Sequence, residues 1–555
     1  MKKKLMAFLA LISVVSSAVV GFAGCKPKVQ DDENTLEIFI SKFGYGTEWL
    51  DEVIKEFKNT AWVQEKYPSL NIPKPASNSE RTFPADRMIT DGSTNTYDLL
   101  FACDSAAAYY DRVNAATGVS YFEDLSGVYA TTIPGESVTV AEKMDANIYA
   151  NLAHTNKDGT KVYYPMPWVN GYMGLLYNQS LVDTHLGASY VLPRTTIELE
   201  GMAKTLKDKN VTPFLSSTKA GYWNQVSFTW WVQYEGTERY ADYWLGVNEY
   251  DEMSSENFAQ LGRLRSLQTL ESLIGRADGK DYNHADVNTL EFTAAQSKYL
   301  LGEAVMMPNG DWFENEMRAN YEEDENHYDI RFMQMPVISA IVETMSFYNA
   351  GKAYDALSAA EKATYDDMLA KIVSVVDAEG SFEDAQALVS GLTKADFDKV
   401  YTARNIVYSV ENHDAYIPSY ATGKEIAKDF LLFMASDKAI KAFMRSTNGA
   451  STAFTYDVET KAPEVYANFS NLQKGRAKIA AKGIVPFAPT TSRLVYLGGL
   501  NNYTISSSLE SFFTAQYAAD RKTAEYIYQN DIEYYVNKNN GEYWKELLSR
   551  AGIQN

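Results

Sequence analysis

The chain has 555 residues, with 51 Lys and Arg against 72 Asp and Glu, a formal charge of −21 and 46% hydrophobic residues. That length exceeds one small core and predicts two or three compact units, and the ordinary share of charged and apolar residues excludes a disordered or low-complexity chain. The acidity argues against nucleic acid as a partner, since nucleic acid is held by Lys and Arg, and two cysteines exclude a disulfide-stapled scaffold.

Residues 1–25 read as an address. Lys2, Lys3 and Lys4 precede the apolar stretch Leu5 to Phe22, which closes on Ala23-Gly24-Cys25. A basic start, an apolar middle and small residues before a boundary form a secretory signal. The apolar run also approaches the length of a membrane span, and Cys25 decides between the two. Small residues directly before a cysteine resemble the bacterial lipobox, whose cysteine is diacylated and becomes the first residue of the mature protein. Two acyl chains supply stable anchoring that one does not. Residues 1–24 are therefore expected to be removed, and Cys25 to carry the lipid. Residues 25–34, polar and aperiodic, are expected to hold a folded body off the outer face of the cytoplasmic membrane.

The body alternates strand and helix. Leu36 to Ile40 is a short strand, followed by the turn Gly44-Tyr45-Gly46. Thr47 is placed to cap a helix that carries Trp49, Leu50, Val53, Ile54 and Phe57 on one face. A second apolar strand at 98–103 makes this the start of a parallel sheet, with Cys103 read as a small buried hydrophobe. Ligands of such sheets collect beyond the carboxyl ends of the strands, where Tyr45 and Asp104 lie. Asn156 to Gly159 marks a turn between two extended runs. Pro165-Met166-Pro167-Trp168-Val169-Asn170-Gly171 then starts an extended crossover that continues into an apolar strand ending at Asn178. Thr195 to Lys209 reads as a helix, and Trp223 to Tyr234 as a helix crowded with aromatic residues. Gly302 to Trp312 runs from a helix end through a strand into a new helix, with Asp311 and Glu314 spaced as a capping pair. Residues 350–404 read as a helical insertion opened by the capping box Ser358 to Glu361, with a second helix start at Thr393. Two more helices follow Gly423 and end at Asn448-Gly449, and the tail from about 505 is helical and Tyr-rich.

The lipobox leader, the segments 163–178 and 302–312, and Ala427 to Gly449 occur in one order. In that order they resemble the family-1 extracellular solute-binding proteins of ABC importers, the maltose-binding-like group. The resemblance spans nearly all of the mature chain outside 350–404. It implies a periplasmic-binding-protein-like α/β fold of two lobes joined by crossing strands, with the ligand trapped in the cleft between them. Lobe one would hold 35–165 and 405–475, and lobe two 168–345 and 476–555. Hinges would fall near Pro165 to Trp168 and Arg404 to Tyr416. The implied partners are a carbohydrate, expected to be an oligosaccharide, and the permease subunits of an ABC transporter. The implied state is a monomer with no cofactor.

A sugar site needs aromatic platforms for C–H faces and amides or carboxylates for hydroxyls. The candidates are Tyr45, Asp104, Trp168, Asn170, Trp223, Asp311, Trp312 and Asn412. The resemblance places a sugar-stacking aromatic at Trp312. Trp49 and the stripe Trp230, Trp231 and Tyr234 are read as core, because rings at helical spacing pack against their own protein. Enzymatic motifs are lacking: no His-Glu-x-x-His helix, Gly-x-Ser-x-Gly elbow or Walker loop occurs. The alternatives are a surface glycoside hydrolase, which would need two carboxylates across a cleft, and a binding protein for a non-sugar solute. No metal is expected from five scattered histidines.

Overall fold

The computed structural model describes residues 34–553 apart from 43, 79–88, 90–91, 93–94, 103–105, 157–158, 277–280, 319–327, 411–412 and 501–507. The leader, Cys25, Cys103, Asp104 and Asn412 therefore lie outside the described residues.

In chain order the strands are β1 (Ile38–Ser41), β2 (Ala76–Asn78), β3 (Leu99–Phe101), β4 (His154–Thr155), β5 (Lys161–Val162), β6 (Met166–Pro167) and β7 (Gly171–Asn178). They continue as β8 (Met306–Gly310), β9 (Ile330–Phe332), β10 (Tyr408–Val410) and β11 (Asp414–Tyr416). One sheet has the order β2-β1-β3-β11-β6, and a second runs β10-β7-β8 with β9 also on β7. Each sheet carries its own helices, so the molecule is two α/β lobes.

The first sheet begins as the sequence predicts, with β2 and β3 both parallel to β1. It ends as a mixed sheet, because β11 returns from the other lobe and pairs antiparallel with β3 and β6. The helix Glu48–Lys58 buries Trp49, Leu50, Val53, Ile54 and Phe57. Phe57 meets Phe430 of the helix Lys424–Met434 at 5.0 Å between ring centroids. Thr47 stands at the helix N-cap position, but its side chain makes no capping bond there. Its backbone N–H instead donates to the Glu48 carboxylate at 3.0 Å.

In the second sheet β7 is central and buried along its whole length, which explains a continuous apolar run in place of alternation. β8, β9 and β10 all pair with it antiparallel. The chain leaves the first sheet through Trp168 to Asn170, between β6 and β7, and returns between β10 and β11. The two passages run side by side, with the Trp168 N–H donating to the His413 carbonyl at 3.0 Å. A third passage follows the helix Asp437–Ser446, since the next long helix, Asn471–Ala480, packs on β9.

The 350–404 stretch forms the helices Ala359–Asp377, Phe382–Leu388 and most of Lys394–Asn405. Capping boxes open them at Ser358/Glu361, Ser381/Asp384 and Thr393/Asp396. Polar contacts tie this layer to the second-sheet lobe: Thr195 Oγ1 donates to Asp366 at 2.8 Å, Arg194 to Ser374 Oγ at 2.6 Å, and Arg404 to both Asp377 oxygens and the Met335 carbonyl. The C-terminal helices Ala524–Ile532 and Glu542–Arg550 close the same lobe, with a buried Arg263–Asp531 ion pair beneath them.

Candidate functional site

The seam between the lobes is built from the loops after β1, β3 and β8 and from the paired crossovers. Tyr45, on the first-lobe loop after β1, donates its hydroxyl to Asp311 Oδ1 at 2.6 Å. Asp311 follows β8 in the second lobe, so this bond joins the lobes. The other Asp311 oxygen faces the Ser451 N–H at 3.5 Å and Arg476 Nε at 3.8 Å. Arg476 also donates to Ser451 Oγ and the Gly449 carbonyl. Burial pushes the Asp311 carboxyl up to about 6 against the opposing pull of Arg476 and Tyr45. The Tyr45 phenol is raised well above its usual value by burial and by Asp311.

The predicted capping role of Asp311 is thereby corrected. The one-turn helix Phe313–Glu316 has Trp312 at its N-cap position with no side-chain cap. Glu314 is engaged by Ser470 Oγ at 2.7 Å, leaving the Asp311 carboxyl to the other lobe.

Trp312 is 6% exposed. Its indole lies against backbone: a Cβ on Gly310 would collide with it, and one on Gly171 would come within 3.2 Å of it. These two glycines let the ring approach where any side chain would hold it off. Tyr222 flanks it at 6.1 Å between centroids.

Trp168 is 2% exposed and stacks on Trp49 at 4.9 Å with 18° between planes. Its indole N–H donates to the Ala102 carbonyl at 3.3 Å. The ring therefore packs into the first-lobe core behind the seam and is not the sugar platform for which it was a candidate. Asn170 bridges the crossovers: its Nδ2 donates to Tyr172 Oη at 3.1 Å, its Oδ1 accepts the Ser409 hydroxyl, and its backbone N–H donates to the Ser451 carbonyl. Trp223 is fully buried in the second lobe, where its indole N–H donates to Ser216 Oγ at 3.3 Å and Ser216 in turn donates to Glu510. Tyr45, Asp311 and Trp312 are thus brought together, with Trp168 and Asn170 as their support, while Trp223 stands apart.

Beside this filled part of the seam is a hollow of about 650 Å³ that takes walls from both lobes, within the range of small-ligand sites. Tyr110, Asn151, His154 and Asp414 come from the first lobe, and Phe487, Arg493 and Tyr496 from the second. A smaller hollow behind it reaches Asn170 and Ser409 on the crossovers and shares Asn151 and Asp414 with the larger one. Asp414, raised to about 6 by burial, accepts the Tyr416 hydroxyl at 3.0 Å, and the Tyr110 and Tyr416 hydroxyls lie 3.3 Å apart. Arg493 Nη2 crosses the seam to Asp111 Oδ2 at 2.8 Å, and His154 Nε2 lies 3.2 Å from Asp111 Oδ1. Burial holds His154 below its usual value despite the nearby carboxylate.

This arrangement offers ring faces, an amide, a carboxyl and a guanidinium around one volume. Apart from Asn170 and the Arg404 to Tyr416 stretch, its residues escape sequence reasoning. Tyr110 carried one usable signal, its place just past the carboxyl end of β3. Tyr496 lies in Arg-Leu-Val-Tyr, which has no distinguishing pattern.

Two lobes, crossing strands and an interlobe hollow define the class as a two-lobe solute-binding fold. Residues 91–337 match the family model described as bacterial extracellular solute-binding protein. No curated protein matches the chain. Among solved structures, a chitin oligosaccharide binding protein is similar at a TM-score of 0.53 and 14% identity, over 90% of this chain and 99% of its own. The GacH receptor of Streptomyces glaucescens is similar at 0.51 and 13%, over 93% and 98%. A probable secreted solute-binding lipoprotein from Streptomyces coelicolor is similar at 0.51 and 14%, over 90% and 98%. The chain has the fold of a solute-binding protein. No helix among the described residues is long and apolar enough to cross a membrane.

Proposed function

We propose that the protein is a lipid-anchored extracellular receptor that captures a carbohydrate between its lobes and delivers it to an ABC-transporter permease. The observation that carries this reading is the interlobe hollow, with Tyr110, Phe487 and Tyr496 as ring faces and Asn151, Asp414 and Arg493 as polar groups. Such a set suits a ligand with apolar C–H faces and a rim of hydroxyls. The names of the similar structures, a chitin-oligosaccharide binder and a receptor solved with acarbose, support the same chemistry.

The lobes divide as 35–165 with 414–470, and 168–345 with 408–410 and 471–555, because β10 pairs with β7 and the helix Asn471–Ala480 packs on β9. Tyr45, Asp311 and Trp312 line the part of the seam that parts when the lobes open, and Trp168, Asn170 and Trp223 act through packing beneath it. A ligand touching both lobes favours the closed form by its difference in affinity for the two forms, and the permease reads the closed shape. The protein binds and releases its ligand without turnover.

Residues 26–555 tested by thermal shift and intrinsic fluorescence against an oligosaccharide panel should respond to at least one sugar. A response confined to peptides, polyamines or metals would overturn the carbohydrate reading, and accumulation of hydrolysis products would overturn the receptor. For the anchor, the full chain should incorporate labelled palmitate and Cys25→Ser should not; equal labelling of the variant would refute lipidation at Cys25.

A further inference from the structure

We propose that Asp111 and Arg493 form an electrostatic clamp that sets how far the lobes close when no ligand is present. As a positioning pair, they would thereby set ligand affinity. The inference rests on the receptor reading above and deepens it.

Asp111 follows the short helical turn Ala107–Tyr109 in the first lobe, and Arg493 opens the helix Arg493–Tyr496 in the second. Their atoms meet at 2.8 Å at the edge of the interlobe hollow, which Arg493 and His154 line. Asp111 is largely buried, its side chain 13% exposed, and Arg493 is 30% exposed. The pair is therefore screened less by salt than a surface ion pair.

Each member is held from its own lobe. Arg493 Nε donates to the Ala551 carbonyl at 3.3 Å, behind the helix Glu542–Arg550. Ser492, the residue before it, caps the Arg493–Tyr496 helix through Leu494 N–H and donates to the Trp244 carbonyl. On the other side, His154 Nε2 holds the second Asp111 oxygen at 3.2 Å. Neither side chain can follow its partner when the lobes part, so opening breaks the pair.

A contact made only in the closed form shifts the open–closed balance, and apparent affinity falls with the fraction of binding-competent molecules. Losing Arg493 also leaves the largely buried Asp111 carboxylate without its guanidinium, which favours opening further.

The test uses residues 26–555 with one fluorophore on each lobe, and reads the ligand-free distance distribution and then sugar titrations at low and high salt. Arg493→Gln and Asp111→Asn should each move the ligand-free open-to-closed ratio about tenfold toward open. Asp111→Asn, whose side chain does not line the hollow, should raise the Kd for a neutral sugar by a similar factor and flatten its salt dependence. In the ligand-free distances the double variant should open no further than Arg493→Gln alone, because the second change removes no further interlobe bond. An unchanged distance distribution in both folded single variants, or fully additive effects in the double, would overturn the clamp. The ligand-free distances need no sugar, so a protein that binds none would sink the receptor reading while the clamp is still judged by itself.

Discussion

The seam between the lobes has two parts that differ in whether protein fills the space between them. Around Tyr45, Asp311 and Trp312, each ring or polar group already has a protein partner. The indole lies on Gly171 and Gly310, and the carboxyl receives a tyrosine hydroxyl, a backbone N–H and an arginine. Around Tyr110, Asp414 and Tyr496, similar groups border an open volume of about 650 Å³. Aromatic and acidic composition is therefore a poor guide to a ligand site. What separates the two parts is backbone: glycines at the start of β7 and the end of β8 let a ring settle against main chain.

The largest effect should come from the ring behind the seam. Trp168→Ala removes a buried indole stacked on Trp49, and the cavity should cost about 3–5 kcal/mol in urea unfolding. A loss of ligand affinity at unchanged stability would instead place Trp168 in the site.

Next is a pH effect inside the second lobe, away from the seam. Glu510, buried beside Ser216, is raised from 4.5 to about 8 by burial. Between those values the unfolded chain has released this proton and the folded chain has kept it. Stability then falls as pH rises through the window, by about 1.4 kcal/mol per pH unit for this group, and the full loss is present above the upper value. Glu510→Gln should leave the midpoint near pH 4.5 almost unchanged and raise it at pH 8.5. Equal pH profiles for the two proteins would show that Glu510 is ionised in the fold.

Tyr45→Phe deletes the interlobe hydroxyl and leaves Asp311 one bond poorer. The expected cost is about 1–3 kcal/mol, read as a lower unfolding midpoint together with a larger radius of gyration without ligand. An unchanged radius would mean that the bond does not hold the lobes together.

The smallest stability change belongs to the open part. Tyr496→Ala should leave the unfolding midpoint nearly as it was and weaken sugar binding about tenfold, or about 1.4 kcal/mol. Reversal of these two outcomes, lost stability with retained affinity, would exchange the roles of the two parts.

Local features were legible where one segment contains its own cause. The apolar stripe from Trp49 to Phe57 specifies a buried helix face, and Ser358 with Glu361 and Thr393 with Asp396 place helix starts that the structure repeats to the residue. The first crossover was legible too, from prolines and glycines before one apolar strand. β2, three residues long and only half-buried, left no such trace. The mixed character of the first sheet was also hidden, because β11 reaches β3 from more than 300 positions away.

The sequence by itself determined a large acidic chain of alternating strands and helices, with a leader that resembles a lipobox and a motif order that resembles a two-lobe family. The strands and helices rest on periodicity, capping and spacing, which act between residues close along the chain. Only the tertiary structure decided which rings meet protein and which meet open space. Trp168 and Trp312 are settled by Trp49 and by two glycines from distant strands, and the hollow exists because the 487–496 segment faces Tyr110, His154 and Asp414 across the seam. Exposure at an interlobe surface is a property of both walls, and no single segment encodes it.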